Sequence, residues 1–294
     1  MLKSFLQLMR PANLVTAVAD VLAGLSLAAL AGGISPLSTG QPVWLLLLST
    51  VGLYGGGVVL NDVFDAELDA VERPERAIPS GRVTLGQASA LGVGLLVAGI
   101  ASAFFYGPTT GGLAALIAGL AVFYDRYGKH MSWFGPINMG LCRGFNLLLG
   151  VGAAGSAAVQ GVWWLALVPV IYIAAITMIS RDEVHGGKRL TLYAAAGFYL
   201  MVSSAQLALA LGAQTLYLTV GFVILHLFLT GRPLLKAIQN PIGSNIGGAV
   251  KAGVLSLIVM DAAWVSVSGN WQLALGTLLL LPLSIWLAKA FAVT

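Results

Sequence analysis

Charge is what this sequence has least of. Of its 294 residues only 15 are Lys or Arg and 11 are Asp or Glu, 9% together, against 58% hydrophobic residues. A soluble domain of this size carries roughly a quarter charged residues, so there is too little charge here to clothe a water-facing surface. A soluble globular fold is therefore excluded, and the surface must face lipid. Cysteine occurs once, as Cys142 inside an apolar run, which rules out an intrachain disulfide. The net charge of +4 is scattered over loops between apolar runs, without the basic face that nucleic acid requires, so no nucleic-acid partner is expected. A cleavable leader is also missing. The opening MLKSFLQLMRPAN is short and amphipathic with no small-residue cleavage site after it, and it is expected to lie on the membrane surface ahead of the first span.

What the sequence has in abundance is long apolar runs. A span needs about 20 mainly apolar residues, and on that basis helices are expected near 14–32, 43–60, 84–106, 110–124, 137–156, 162–180, 190–211, 215–230, 249–267 and 272–290. That makes ten, or nine if one of the last three is not a full span. The 37 glycines suit such a bundle, because small residues let membrane helices approach closely. Trp163, Trp164 and Trp271 fit an interfacial belt.

Basic residues set the orientation. With the N-terminus inside, the inner segments hold Lys3, Arg10, Arg73, Arg76, Arg82, Arg126, Lys129, Arg181, Lys188, Arg189, Arg232 and Lys236, while the outer loops near 33–42, 107–109, 157–161, 212–214 and 268–271 hold none. The expectation is a multi-pass protein of the cell inner (cytoplasmic) membrane with its N-terminus in the cytoplasm.

The scarce acids are not spread evenly. NDVFDAELDAVERPERAIPSGR, residues 61–82, holds Asp62, Asp65, Glu67, Asp69, Glu72 and Glu75, more than half of the 11 in the chain. Asn61, Asp65 and Asp69 fall at i, i+4 and i+8, so a helix continuing past residue 60 projects all three from one face. Like charges at that spacing repel and need a counter-ion. Oxygen donors without Cys or His suit Mg²⁺, which takes one or two carboxylates together with substrate phosphates. Arg73, Arg76 and Arg82 then read as phosphate forks, since guanidinium pairs bidentately with phosphate oxygens, and Pro74 and Pro79 stiffen their loop. Oxygen ligands and arginines at the lip of an apolar pocket describe a receptor for a diphosphate with a lipid tail. The bland alternative is a helix end followed by ordinary inside arginines; it explains the arginines but not acids spaced by helical turns. A faint repeat supports a second unit: SRDEVHGGKR at 180–189 also places acids directly after an apolar run, so two helix–acidic-loop units are expected to face one central cavity open to the cytoplasmic side.

N61-D-V-F-D65-A-E-L-D69 followed by R73-P-E-R76-A-I-P-S-G-R82 resembles the first signature of the UbiA superfamily of intramembrane prenyltransferases. MRPANLVTA at 9–17, YDRYGKH at 124–130 and NMGLCRGFNLLLG at 138–150 are similar to further family patterns. The resemblance implies a single all-helical membrane domain over 1–294, Mg²⁺ as cofactor, and a polyprenyl diphosphate donor. It implies metal ligation by Asn61, Asp62, Asp65, Asp69 and Asp182, with catalytic roles for Asp65, Asp69 and Asp182. The second motif departs from the family's paired aspartates four apart, which puts a second Mg²⁺ in doubt; Asp182 is the best candidate ligand there, with Glu183 and His185 next, and Glu183, His185 and Lys188 are implied to bind substrate. This variant is similar to the EboC-like branch.

Further candidates line the expected pocket. Tyr124 and Lys129 fall where the family places a Tyr and a Lys. Arg143 lies inside a span, where an arginine is costly and normally faces a polar cavity or partner, and Asn138 and Asn146 share its helix. Asn13 begins helix one. Asp20 and Asp261 are intramembrane carboxylates; Asp20 suits pairing with a cation of the bundle and Asp261 suits a structural role. The implied reaction is transfer of an isoprenyl group to a small acceptor, aromatic or hydroxylated, with a cyclitol-like ring among the candidates. A site acid, Asp69 or Asp182, takes the acceptor proton, and the sequence does not choose between them. A transporter, or a UbiA-like protein that binds prenyl diphosphate without turnover, stays open as an alternative. A transporter site belongs near the bilayer midplane, whereas these acids cluster at a helix end.

Overall fold

The computed structural model describes residues 2–31, 36–131, 134–180 and 188–291, and within them the chain is wholly helical. A short amphipathic α1 (Leu2–Met9) precedes α2 (Pro11–Leu27), α3 (Trp44–Phe64), α4 (Ala66–Glu72), α5 (Leu85–Tyr106), α6 (Pro108–Arg126), α7 (Phe134–Val151), α8 (Ser156–Val162), α9 (Leu167–Ser180), α10 (Arg189–Gly212), α11 (Leu216–Gln239), α12 (Gly243–Val267), α13 (Trp271–Leu278) and α14 (Leu280–Ala290). Short 3₁₀ turns join α8 to α9, and α13 continues into α14, so each pair makes one rod. Among the described residues nine rods are long and apolar enough to cross a bilayer. The less apolar α6 is not among them, yet it packs along α3, α5 and α7 and completes a set of ten.

Local chemistry explains the boundaries. Pro11 starts α2, where its missing N–H costs nothing. Thr84 and Gln87 cap α5 reciprocally, each side chain accepting the other's backbone N–H at 3.2 and 3.1 Å. The sequence pattern ends the eighth rod at residue 230, but α11 runs on to Gln239 with Pro233 inside it. Membrane helices tolerate such a proline because neighbours re-satisfy the freed backbone groups, and the break comes instead at Asn240 and Pro241.

The rods sort by depth. In α2 and α12, 67% and 72% of the apolar window is buried, against 28% in α5 and 17% in the final rod, so α2 and α12 are interior and the others face lipid. α2 packs against α3, α7, α12 and α14. Two apolar cores flank it. One joins α7, α9, α10 and α12 around Tyr172, Ile179, Leu192 and Trp264; the other joins α3, α5 and α6 around Leu46, Leu53, Leu96 and Ile117. At one end, Leu8 of α1 packs with Val59, Ala77, Val83 and Ala88, so the loop after α4 folds back over the bundle as a plug.

The α2–α7 crossing is backbone on backbone. A Cβ added at Gly24 meets the Leu147 carbonyl oxygen at 2.0 Å, and one at Gly150 meets the Val21 carbonyl oxygen at 2.3 Å. Without side chains at these two points the helices approach closely enough to bring α7's polar residues against α2. Gly24→Ala is expected to destabilise the protein by about 1–3 kcal/mol through overpacking, read as a lowered thermal midpoint in detergent. Gly94→Ala, where an added Cβ meets nothing within 4 Å, is expected to leave it unchanged or slightly raised.

Candidate functional site

The acidic segment begins on α3 and crosses a break. α3 stops at Phe64, Asp65 leaves helical geometry (φ −94°, ψ 3°), and α4 resumes at Ala66. The turn spacing survives, because the Asp65 N–H bonds the Asn61 carbonyl at 3.0 Å and the Asp69 N–H bonds that of Asp65 at 2.8 Å. Asp62 and Asp69 are consequently buried, while Glu67 and Glu72 stay exposed. The counter-ions are cations of the chain itself. Arg76 reaches Asp69 Oδ2 at 2.7 Å and Asp62 Oδ1 at 3.3 Å, Arg10 reaches Asp62 Oδ1 at 2.6 Å, and Lys129 pairs with Asp65. Three carboxylates meet three cations, in pairs that are half-buried at the cavity mouth.

α6 supplies the facing wall. Asp125, in its last turn, accepts from Asn61 Nδ2 at 3.0 Å. Asp125 and Lys129 are four residues apart, as are Asn61 and Asp65, so two helix ends meet through two matched contacts. Asp125 is 4% exposed and its Oδ2 has no hydrogen-bond partner.

A cavity of about 400 Å³ runs inward from this mouth. Arg10, Asn13, Asn61, Tyr124, Asp125 and Ser180 line its polar end; Leu53, Ile117, Ile173, Ile176, Val254 and Leu257 form an apolar wall. A second polar group closes it from within, where Thr16, Thr50, Arg143 and Asn146 line the cavity. Eleven residues of α3 separate Thr50 from Asn61, about 16 Å along a helix. Here Arg143 Nη1 stands 3.0 Å from Asp20 Oδ2 and Nη2 donates to Thr16 Oγ1 at 3.0 Å. Asn146 donates to Asp20 Oδ2 at 3.0 Å and accepts from Thr50 Oγ1 at 2.7 Å. Tyr54 offers its ring to the guanidinium at 5.7 Å, so an intramembrane arginine is held by a carboxylate, a hydroxyl and an aromatic face.

The expected site residues thus divide. Asn13, Asn61, Tyr124, Arg143 and Asn146 line one cavity, and Asp62, Asp65, Asp69, Arg76 and Lys129 knit its mouth. Asn138 lies elsewhere: it is fully buried and donates to the Leu120 carbonyl at 3.1 Å, tying α7 to α6. Arg82 is engaged by Gln7, Ser80 and the Glu75 carbonyl, and neither it nor Arg73 reaches the cavity. Lys188 is exposed at the start of α10. Asp182, Glu183 and His185 lie outside the described residues, and with them the second acidic unit. Asp261 is fully buried in α12, beside Asp20.

Two residues of the site went unsingled in the sequence. Arg10 carries only a positive-inside signal, yet it lines the cavity and holds Asp62. Asp125 had a usable signal: it is the one acid between Glu75 and Asp182, and it adjoins Tyr124.

A divalent cation fits the chemistry of this mouth. Asn61, Asp62, Asp65, Asp69 and Asp125 offer oxygen donors alone, the set that Mg²⁺ prefers, and the unpaired buried oxygen of Asp125 is a position a cation would satisfy. Among the described residues no three acids, histidines or cysteines already converge as a metal cluster, in keeping with carboxylates that hold the chain's own cations.

Known proteins resemble the chain in sequence and in fold. The chain is 33% identical over 185 residues to the digeranylgeranylglyceryl phosphate synthase of Ignicoccus hospitalis, covering 63% of this chain and 58% of that protein. It is 31% identical over 229 residues to the synthase of the same name from Methanoregula boonei, covering 72% and 76%. The chain thus spans less than two thirds of the Ignicoccus relative's length. Among solved structures, the fold is similar to a UbiA homolog from Aeropyrum pernix K1 (TM-score 0.65, 17% identity, 84% of this chain and 96% of that one). It is also similar to a UbiA homolog from Archaeoglobus fulgidus bound to DMAPP and Mg²⁺ (TM-score 0.63, 12% identity, 91% and 98%). The model of the UbiA prenyltransferase family matches residues 17–240, which hold the ion-paired mouth from Asn61 to Lys129 and the Arg143 cluster within; the chain belongs to that family.

Proposed function

We propose that this protein transfers an isoprenoid group from a polyprenyl diphosphate to a hydroxyl of a glyceryl phosphate acceptor within the membrane, with Mg²⁺ as cofactor. The observation that carries this reading is one cavity with ion-paired oxygens at its mouth, an apolar wall and a fixed arginine at its inner end. The relatives' name supplies the acceptor class, so a glyceryl phosphate replaces the aromatic or cyclitol-like acceptor expected from sequence. The Archaeoglobus structure, with its prenyl diphosphate and Mg²⁺, supports the donor and the metal. The charged mouth is assigned to the cytoplasmic face of the cell membrane, on the distribution of basic residues.

The chain's residues divide the work. Asn61, Asp62, Asp65 and Asp69 would hold the cation, which neutralises negative charge on the departing diphosphate. With these acids engaged by the cation, Arg10, Arg76 and Lys129 would be free to bind phosphate oxygens. Leu53, Ile117, Ile173 and Ile176 take the isoprenoid tail and keep water from the carbon that develops positive charge. The carbon–oxygen bond to diphosphate breaks, the acceptor oxygen bonds to the same carbon, and the hydroxyl proton leaves to a site acid. Arg143, with Asn146 and Thr50, orients the polar head of the acceptor.

The direct test is incorporation of radiolabelled geranylgeranyl diphosphate into a glyceryl phosphate lipid by purified protein in nanodiscs. Product is expected with Mg²⁺ and none after chelation with EDTA. Flux of substrate across the membrane without any product would instead favour a transporter. Asp65→Ala is expected to lower kcat by about 10²–10³, the usual cost of one electrostatic group at a site of developing charge; unchanged turnover would remove Asp65 from the site. Arg143→Lys, which keeps a cation opposite Asp20, is expected to raise the acceptor KM about tenfold, some 1.4 kcal/mol, with the donor KM unaltered. A change in the donor KM alone would assign Arg143 to the other substrate.

A further inference from the structure

The mouth contains one carboxylate that no ion pair absorbs. Asp62, Asp65 and Asp69 each face a cation of the chain. Asp125 instead spends Oδ1 on the Asn61 amide at 3.0 Å, and its buried Oδ2 has no hydrogen-bond partner among the described residues. A buried carboxylate oxygen without a partner costs free energy until a donor or a cation meets it. Residue and position coincide: Asp125 is 96% buried, lines the same cavity as Asn61, and stands one helical turn before the lysine that neutralises Asp65. Its bond to Asn61 also fixes that amide, since Nδ2 can only donate, leaving Oδ1 as the amide's acceptor atom. The second acidic segment meanwhile offers Asp182 and Glu183 side by side, not the two aspartates four residues apart that the family resemblance implies.

We propose that Asp125 is a ligand of the divalent cation: its Oδ2, carried by α6, binds the ion beside Asn61. This rests on the diphosphate-and-cation reading above and adds to it a residue outside both acidic segments. Mg²⁺ takes protein oxygens together with water and phosphate oxygen, so an oxygen from α6 would join those that the end of α3 and the start of α4 offer. With the ion bound, Asn61 and Asp125 would tie the ends of α3 and α6 together, while Lys129, released by Asp65, stays beside them at the mouth.

Direct ligation is tested by exchanging the donor atom. Asp125→Cys is made in a Cys142→Ser background, because Cys142 lines the same cavity, and the full-length protein is loaded with Cd²⁺ and a non-reactive prenyl thiodiphosphate analogue. A thiolate-to-cadmium charge-transfer band is expected, absent from the Cys142→Ser protein alone. In parallel, Asp125→Asn is expected to weaken Mn²⁺ binding, followed by electron paramagnetic resonance in the presence of the analogue, by about tenfold or more. Should Cd²⁺ bind without the band, and Asp125→Asn bind Mn²⁺ as tightly as the native chain, the ion sits elsewhere and the proposal is overturned. Should the native chain itself bind no divalent ion with the analogue present, the diphosphate-and-cation reading fails first, a result distinguishable from the other because it does not depend on residue 125.

Discussion

Three carboxylates crowd the end of α3 and the start of α4, and they stay there because three cations stand against them. Arg10 comes from the approach to α2, Arg76 from the loop after α4 and Lys129 from the turn after α6, so the neutralisation draws three separate parts of the chain to one point. Like charges one turn apart would otherwise unwind the segment. The cancellation is local and nearly complete, which lets a charge-rich segment persist at the end of an apolar bundle. It also places three cations of the chain beside the acids, all within reach of the cavity mouth.

Beneath that mouth the bundle has two competing demands: close packing for stability and a hollow for a substrate. Glycines settle the first at the α2–α7 crossing, where backbones touch, and the second follows from where that contact sits. Pressing α7 against α2 brings Arg143 and Asn146 to Asp20 and Thr50, forming a polar plug inside the membrane. The cavity lies between this plug and the ion-paired mouth. An unpaired arginine at that depth would be costly, so the plug and the crossing depend on one another.

Much of this was legible in the sequence. The lack of charge and the length of the apolar runs gave the membrane bundle, and the turn spacing of Asn61, Asp65 and Asp69 located the mouth. Arg143 announced itself by standing inside a span, and Asp20 was the right kind of residue to meet it. What failed to show were contacts between distant helix ends. Spacing tells which side chains share a face of one helix; it does not tell that Asp125 meets Asn61, 64 residues away, or that Arg10 meets Asp62, 52 residues away. The same limit explains Asn138, which shares α7 with Arg143 but turns to a carbonyl of α6, and Arg82, which follows the acidic run in sequence but is held by α1 and its own loop.

The backbone at Arg10 adds a consequence of its own. It adopts a left-handed conformation (φ 49°, ψ 68°) immediately before Pro11, a geometry that costs a side-chain-bearing residue roughly 1–3 kcal/mol. The guanidinium pairs with Asp62 from that elbow, with α1 on one side and the interior α2 on the other, so one strained residue fastens the N-terminal amphipathic helix to the end of α3.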